Sequence, residues 1–225
     1  MNKILLLLTI IACASSLALA DPACPIAPAN IGLYESVSFT CNDLTFSNLT
    51  YTPSGSHLIN SNAVTISFVD VGGEEGLQFN APWIAIAGAT TDSTFNFDVT
   101  CNNGCSIDDL ELTMGGAAAK GANGDVNVSE NATPPSGPTQ TLETDVNANF
   151  SQTSDKVTFA PVGSFSITKD LAVTGPDSGP SSGVSQIQNL FSTTTTVPEP
   201  STLFACLVGL GLIGLAPVAR RKFGL

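Results

Sequence analysis

Thr94-Phe95-Asn96-Phe97-Asp98-Val99-Thr100 is the stretch that decides the fold class. Its apolar and polar residues alternate, and successive side chains of a β-strand point to opposite faces of the sheet. Phe95, Phe97 and Val99 therefore face a core, while the polar residues between them face water. The stretch predicts a β-strand that is buried on one side only.

Similar short runs recur through residues 21–192, bounded by Gly, Pro, Asn and Asp, and helical apolar periodicity is missing there. The predicted strands are Tyr34–Thr40, Leu44–Tyr51, Ala63–Val69, Trp83–Ala87, Thr94–Thr100, Ile107–Met114 and Ser164–Val173. A spacing of roughly ten residues predicts an all-β ectodomain, an antiparallel β-sandwich or jelly-roll-like fold. Asn131–Thr139 is predicted as a loop or soft boundary, and Gly175–Gly183 as the turn of a late hairpin.

Charge is distributed unevenly along the 225 residues, a length suited to one sizeable domain. The whole chain has 19 acidic and 7 basic residues and a net charge of −12. Between Asp21 and Val197 there are 18 acidic residues and three lysines, a net charge of −15. Such an acidic body excludes a nucleic-acid binder, which needs a basic surface for the phosphates.

Residues 1–20 have the features of a secretory signal peptide. Lys3 supplies the positive charge, and an apolar run follows from Ile4 to Ile11. Ala18 and Ala20 then form a small-x-small cleavage pattern in front of Asp21. The pattern predicts export, with the mature chain beginning at Asp21.

Cys13 leaves a second interpretation of the same segment open. Ile10-Ile11-Ala12-Cys13 resembles a bacterial lipobox, in which the cysteine is lipidated. The residues that follow Cys13 continue the apolar segment, where a lipoprotein normally has a polar tether. The signal peptide is therefore the favoured interpretation.

The chain closes with an apolar segment and a basic cluster. Leu203–Ala219 contains no charged residue, and Arg220, Arg221 and Lys222 follow it directly. As a helix, this segment would extend ~25 Å, slightly less than the ~30 Å hydrocarbon core of a bilayer. The pattern predicts a single transmembrane helix with its basic end in the cytoplasm and the acidic body outside. The signal peptide independently predicts the same topology.

A proline-rich motif precedes this helix. Pro198 and Pro200 lack amide donors and hold the backbone extended around Glu199, a conformation that a protease-like cleft binds readily. The ordered combination of Pro-Glu-Pro, a short glycine-containing apolar helix and a terminal basic cluster resembles the PEP-CTERM sorting signal of exported bacterial proteins. Arg220 and Arg221 match the terminal arginines of that family, and Lys222 extends the cluster.

The resemblance implies processing by exosortase, a membrane-embedded transpeptidase-like enzyme. Cleavage near Pro198–Pro200 would release the body to the cell surface or extracellular matrix, after membrane anchoring through the C-terminal helix. Two body segments, Cys41–Leu49 and Gly163–Leu171, also resemble parts of small β-rich PEP-CTERM proteins of unknown function. The predicted organisation is therefore signal peptide 1–20, ectodomain 21–192, Thr/Pro linker 193–201, and transmembrane helix with basic tail 202–225.

Four cysteines belong to the mature body: Cys24, Cys41, Cys101 and Cys105. Export to an oxidising compartment favours disulfides, and four cysteines permit three pairings. The most economical pairing joins Cys24 to Cys41 and Cys101 to Cys105. A zinc site is disfavoured, because no suitably spaced histidine accompanies the cysteines.

Catalytic motifs are not found in the sequence. His57 is the single histidine and lies in a turn-like stretch, without the Gly-x-Ser-x-Gly elbow of a serine hydrolase. Trp83, Tyr34 and Tyr51 are few for a sugar cleft, and Trp83 is predicted to lie in the core. The protein is therefore predicted not to be an enzyme.

No cofactor is predicted, and calcium is the one cation that the pattern leaves open. Two acidic clusters offer the oxygen ligands that calcium prefers, although neither has EF-hand spacing. The clusters are Asp70/Glu74/Glu75 and Asp108/Asp109/Glu111.

The sequence therefore favours a non-enzymatic surface or matrix protein whose partners are the processing enzyme, the membrane before cleavage and extracellular polysaccharide. The alternative is a secreted carbohydrate-binding module or polysaccharide hydrolase with the same sorting tail. A third hypothesis keeps the tail uncut as a permanent membrane anchor.

Overall fold

A computed structural model describes residues 22–195, and these residues form an all-β sandwich of two antiparallel sheets. The strands are β1 (Ala29–Asn30), β2 (Phe39–Cys41), β3 (Leu44–Gly55), β4 (Thr65–Val71), β5 (Glu74–Ala85), β6 (Thr90–Cys101), β7 (Cys105–Gly115), β8 (Asp125–Thr133), β9 (Gln140–Asn147), β10 (Ser151–Gln152), β11 (Ser154–Val162), β12 (Ser164–Thr174) and β13 (Ser182–Thr195). Two short 3₁₀ turns lie at Ile31–Leu33 and Ser61–Ala63. The predicted fold class is confirmed.

The strand order identifies the sandwich as a jelly roll. One sheet has the order β1-β4-β5-β13-β7-β11, and the other has the order β10-β9-β8-β12-β6-β3-β2. Four strands of the first sheet, β5-β13-β7-β11, face four strands of the second sheet, β6-β12-β8-β9. Two Greek keys produce this arrangement in a jelly roll. Most successive strands of this eight-strand set therefore lie in opposite sheets.

The alternation that predicted β6 holds throughout its length. Phe95, Phe97 and Val99 are buried, and Asn96 and Asp98 between them are partly exposed on the outer face. The same alternation in the other long strands fills the space between the sheets with aromatic and branched side chains. The core is one continuous apolar cluster.

Several details of the strand prediction were wrong. Tyr34–Thr40 is mostly a turn, in which Ser36 has a φ of 59°, and only its last two residues join β2. Gly175–Gly183 does not close a hairpin, because β12 and β13 lie in different sheets and pair with other strands. Residues 131–133, predicted as part of a loop, end β8. Five strands were not predicted: β1, β8, β9, β10 and β11. β13 was predicted only as the second strand of the late hairpin, without bounds.

Both disulfides have the expected pairing and lie at one end of the sandwich. Cys24 is joined to Cys41 at the end of β2, and Cys101 to Cys105 across the β6–β7 turn. Leu44 pairs with Cys101 in the β3–β6 ladder and with Cys41 in the β2–β3 ladder, so the two bridges are neighbours. We call this region, with the Asp43 turn between them, the stapled end.

Removing each bridge is expected to destabilise the body according to the loop that it closes. Cys24 and Cys41 are separated by 17 positions, and Cys101 and Cys105 by 4. On the chain-entropy model, the double serine variants lose about 3 and about 2 kcal/mol of unfolding free energy, respectively. Urea unfolding without reductant measures both losses. A larger loss for the shorter loop would contradict the entropic explanation.

Candidate functional site

The last strand leads directly to the predicted sorting motif. β13 continues through Thr195, three residues past the predicted domain boundary, and Thr195 pairs with Cys105. The Oγ1 atom of Thr194 lies 3.2 Å from the Ser106 Oγ atom. The chain therefore leaves the sandwich at the stapled end. The predicted sorting residues lie outside the described residues: Pro198, Glu199, Pro200, Arg220, Arg221 and Lys222.

The N-terminal predictions also lie outside the described part of the chain. They concern the signal segment 1–20 with its alternative lipidation site Cys13, and the cleavage positions Ala18, Ala20 and Asp21. Within residues 22–195, no helix is long and apolar enough to cross a membrane. The predicted transmembrane helix at 202–225 falls beyond these residues.

The stapled end is held by side-chain hydrogen bonds as well as by its disulfides. The Asn103 amide donates to Asp43 Oδ1 at 3.0 Å, and the Asn102 amide donates to Thr45 Oγ1 at 2.7 Å. The backbone N–H of Asn102 donates to the Asp43 carbonyl at 2.8 Å. These contacts fix the turn beside which β13 ends, so the sorting segment is attached to a rigid part of the body.

The two acidic clusters considered for calcium meet at a lysine. Lys156 Nζ lies 3.0 Å from Asp109 Oδ2 and also contacts Glu74. The hydrogen bond to Glu74, followed by that to Asp109, raises the pKa of Lys156. Among residues 22–195, no group of three or more His, Cys, Asp or Glu side chains is placed to hold a metal ion.

An acidic groove lies where β9 meets β10, at one edge of the seven-stranded sheet. It is lined by Glu143, Asp145, Phe150, Gln152 and Asp155. The Asp155 carboxylate accepts a hydrogen bond from the Glu143 backbone N–H at 2.9 Å, and Gln152 Nε2 donates to the Glu143 carbonyl at 3.2 Å. The groove thus presents carboxylates beside Phe150, an exposed aromatic ring.

Asp125, on the neighbouring strand β8, shares a hydrogen bond with the groove residue Asp145. Burial, followed by a hydrogen bond with Asp145 and the negative charge of Asp145, raises the pKa of Asp125 to about 6. A second pair, Asp92 and Asp170, lies on the outer face of the same sheet. There burial, followed by the charge of Asp92, raises the pKa of Asp170.

The Asp125 shift predicts a stability change with pH. The folded protein binds this proton more tightly than the unfolded chain, whose aspartate titrates near 3.9. Stability is therefore lost as the pH rises from about 4 to about 6, and the deficit persists above that range. Because Asp125 is partly exposed, Asp125→Asn is expected to raise the free energy of unfolding at neutral pH by only about 1 kcal/mol.

Urea unfolding across this pH range measures the effect. Asp108→Asn, on the other sheet, is the control and should retain the wild-type pH profile. Identical profiles for the wild type and Asp125→Asn would contradict the assignment.

The three aromatic candidates are buried, whereas the histidine is exposed. Trp83 is fully buried, as expected, and Tyr34 and Tyr51 are each 7% exposed. His57 is exposed in the turn after β3, and its backbone N–H donates to the Thr90 carbonyl at 2.9 Å. None of the three large aromatics offers a free face for stacking on a sugar.

A buried polar cluster was not predicted from the sequence. Lys169 Nζ lies 2.7 Å from Glu130 Oε2, and Asn189 Nδ2 donates to Glu130 Oε1 and Oε2, each at 2.7 Å. All three side chains are fully buried. Burial lowers the pKa of Lys169, although the Glu130 charge and hydrogen bond oppose that shift.

The sequence did contain a signal for this cluster. Lys169 stands at the inward position between Ile167 and Leu171, and Asn189 stands between Ile187 and Phe191. Glu130 likewise stands on the inward face of its strand, since Val128 and Ala132 beside it are buried. Strict alternation therefore places one amine, one amide and one carboxyl inside the core.

Comparison with family models concerns the tail. Residues 196–222 match the model described as the PEP-CTERM protein-sorting motif. The chain carries a PEP-CTERM sorting motif. The match includes all six predicted sorting residues and begins immediately after β13 ends at Thr195. The motif implies an exported, envelope-associated bacterial protein that is processed by exosortase.

Comparisons with whole proteins are less informative. No curated protein matches this chain. Similar solved structures include TmCBM61 in complex with β-1,4-galactotriose, with 11% identity, a TM-score of 0.30, and coverage of 64% of this chain and 85% of that one. The CBM22-1 xylan-binding domain of Paenibacillus barcinonensis Xyn10C has 14% identity and a TM-score of 0.24, with 63% and 85% covered. A family 11 carbohydrate-binding module from Clostridium thermocellum has 6% identity and a TM-score of 0.26, with 66% and 88% covered. These TM-scores are too low to transfer a ligand.

Proposed function

We propose that the body is a non-enzymatic surface or extracellular-matrix protein, delivered by exosortase cleavage near Pro198–Pro200. The observation that carries this proposal is the direct succession of the last strand and the sorting motif, at Thr195 and residue 196. The sandwich is then the cargo, and the tail anchors the precursor until it is cut. Retention of the tail as a permanent membrane anchor is the opposing hypothesis.

The surface charge suits such a role. Lys169 and Glu130 neutralise each other inside the core, so the whole net negative charge of the body lies outside it. A strongly acidic surface keeps a protein soluble and repels like-charged neighbours. It also allows divalent cations to bridge the protein to acidic polysaccharide.

The first test is the intact mass of the protein recovered from the surface or medium of its native host. We expect a chain that begins at Asp21 and ends near Pro198–Pro200. A matched pair of variants sharpens the result: Glu199→Ala alters the motif, whereas Thr193→Ala alters only the preceding tract. Glu199→Ala should accumulate with its tail, and Thr193→Ala should be cut normally. A wild-type mass that retains Leu203–Leu225 would overturn exosortase processing.

A second candidate function, polysaccharide hydrolysis or binding, is favoured by the acidic groove. Asp125, whose pKa is raised to about 6, shares a hydrogen bond with Asp145, and a carboxyl group with a raised pKa is suited to general acid catalysis. Phe150 offers one exposed ring near the carboxylates. The burial of Trp83 argues against a sugar cleft of the usual aromatic kind.

The two functions are separated by incubating the purified protein with host extracellular polysaccharide. Cleavage that is lost in both Asp125→Asn and Asp145→Asn would identify a hydrolase. Retention of the polymer without cleavage, weakened by Phe150→Ala, would identify a binding module. A non-enzymatic surface protein is expected to leave the polymer uncut. It should retain the polymer only when divalent cations are added, and Phe150→Ala should not weaken that retention.

A further inference from the structure

The buried cluster brings a primary amine, a carboxyl group and a carboxamide together in the core. Glu130 Oε2 lies 2.7 Å from Lys169 Nζ and 2.7 Å from Asn189 Nδ2. The two nitrogen atoms are therefore separated by at most twice that distance. Among residues 22–195, Lys169 Nζ has no acceptor other than Glu130, and Asn189 Oδ1 has no donor.

Three different strands hold these groups in place. Lys169 on β12 and Glu130 on β8 are directly paired residues of the seven-stranded sheet. Asn189 approaches from β13, a central strand of the facing sheet, where it pairs with Leu77 and Leu112. Gly76 allows β5 to pack closely here, because a Cβ atom at that position would lie 1.7 Å from the Asn189 carbonyl oxygen. The reacting groups are thus fixed by strands rather than by loops.

We propose that Lys169 and Asn189 become joined by an intramolecular isopeptide bond, with Glu130 as the proton-transfer group. An isolated buried ion pair is a poor way to stabilise a core, since desolvation offsets much of the attraction. Here the amine of Lys169 and the amide of Asn189 both contact the carboxyl group of Glu130. An amine that attacks an amide needs such a carboxyl group to transfer protons between the two nitrogen atoms.

The reaction balances without any further reagent. Transfer of a proton from Nζ to Glu130 gives a neutral amine and a neutral carboxylic acid. The Nζ lone pair attacks Cγ of Asn189, which forms the Nζ–Cγ bond and moves the π pair of the carbonyl onto Oδ1. Glu130 delivers its proton to Nδ2 and takes one from Nζ. The carbonyl then re-forms, the Cγ–Nδ2 bond breaks, and ammonia leaves with that electron pair.

Several features of the site promote these steps. Burial lowers the pKa of Lys169, which favours the neutral, nucleophilic amine. A half turn of the Asn189 amide exchanges its oxygen and nitrogen, so the protonated Glu130 can also donate to Oδ1 and polarise Cγ. The apolar surroundings exclude water, which would otherwise compete for the amide.

The bond would tie one sheet to the other across the core. It would join β12 to β13, the two consecutive strands that lie in different sheets. The crossover between them, residues 175–181, would become part of a closed covalent loop. A protein exposed on a cell surface would gain resistance to forced separation of its sheets and to proteases.

Peptide mapping of the full-length protein, purified after folding and oxidation, tests the proposal. Trypsin together with a protease that cuts before aspartate separates Val157–Lys169 from the fragment that begins at Asp177. We expect these fragments to remain joined, with Lys169 linked to Asn189 in tandem mass spectra and a combined mass lower by one ammonia, about 17 Da. Glu130→Gln, which preserves the shape but cannot transfer the proton, should yield the two fragments separately.

Controls distinguish this bond from other losses of ammonia and from misfolding. Asn103-Gly104 and Asn123-Gly124 can lose ammonia by succinimide formation, but that change stays in their own peptides. Lys169→Arg retains the charge and should abolish the link even if Glu130→Gln does not fold. Separate, unmodified fragments from wild-type protein with both disulfides formed would overturn the proposal, as would a link that persists in Glu130→Gln.

Discussion

Lys169→Met is expected to lower the free energy of unfolding by about 3–5 kcal/mol, the usual loss when one partner of a buried ion pair is removed. The substitution leaves the Glu130 carboxyl in the core with Asn189 as its remaining partner within the described residues. The side chain of methionine fills much of the same space, so the loss comes from the uncompensated carboxyl rather than from a cavity. An isopeptide bond in the wild type would enlarge this loss of unfolding free energy.

Equilibrium urea unfolding at neutral pH measures this loss, and Lys156→Met is its matched control. Lys156 also contacts two carboxylates, but its side chain is 39% exposed. Its replacement should therefore cost less than about 1 kcal/mol. The triple variant Lys169→Met/Glu130→Leu/Asn189→Leu should recover most of the stability, because no buried polar group is then left unpaired. Equal losses for the two lysine variants would contradict the buried-pair explanation.

The strands that were predicted are those whose alternation is apolar enough to recognise locally. β6 and β7 fall in this class, with Phe95 and Leu110 marking their buried faces. β8 was missed because Asn127, Ser129 and Asn131 separate small apolar residues, and Glu130 occupies an inward position. Once the sheets are assembled, packing against neighbouring strands determines such a segment more than its intrinsic preference does.

The late hairpin was predicted wrongly for a different reason. Gly175–Gly183 has the composition of a turn, and the turn exists, but composition does not determine which sheet the next strand joins. β13 enters the middle of the opposite sheet, where its partners β5 and β7 come from distant parts of the chain. Only the complete jelly roll determines that position.

The candidate sites also differ in whether they could be predicted from the sequence. The sorting motif is contiguous, so Pro198–Pro200 and the basic cluster could be identified from their order alone. Asp145 of the groove contacts Asp125 on the neighbouring strand, and the buried cluster joins residues 59 positions apart, Glu130 and Asn189. Alternation indicates which face of its strand each of these polar side chains occupies, but it cannot indicate which of them meet.

Phe95→Ala is expected to lower the free energy of unfolding by about 3–5 kcal/mol, through lost burial and the cavity left behind. Phe95 is fully buried at the centre of an aromatic cluster. Its ring centroid lies 4.8 Å from that of Phe79, 5.0 Å from Tyr51 and 6.0 Å from Trp83. The four rings come from β3 and β6 of one sheet and from β5 of the other. A cavity here therefore removes contacts within and between the sheets.

Phe150→Ala is the matched control for that substitution. Phe150 is 49% exposed in the loop before β10, and its truncation should change stability by less than about 1 kcal/mol. Urea unfolding of both variants gives the comparison, and near-ultraviolet circular dichroism reports the loss of fixed aromatic packing in Phe95→Ala alone. A loss below about 1 kcal/mol for Phe95→Ala would mean that the sheets close around the missing ring, which a close-packed core permits only partially. The alternation that decides the fold class would then contribute little to its stability.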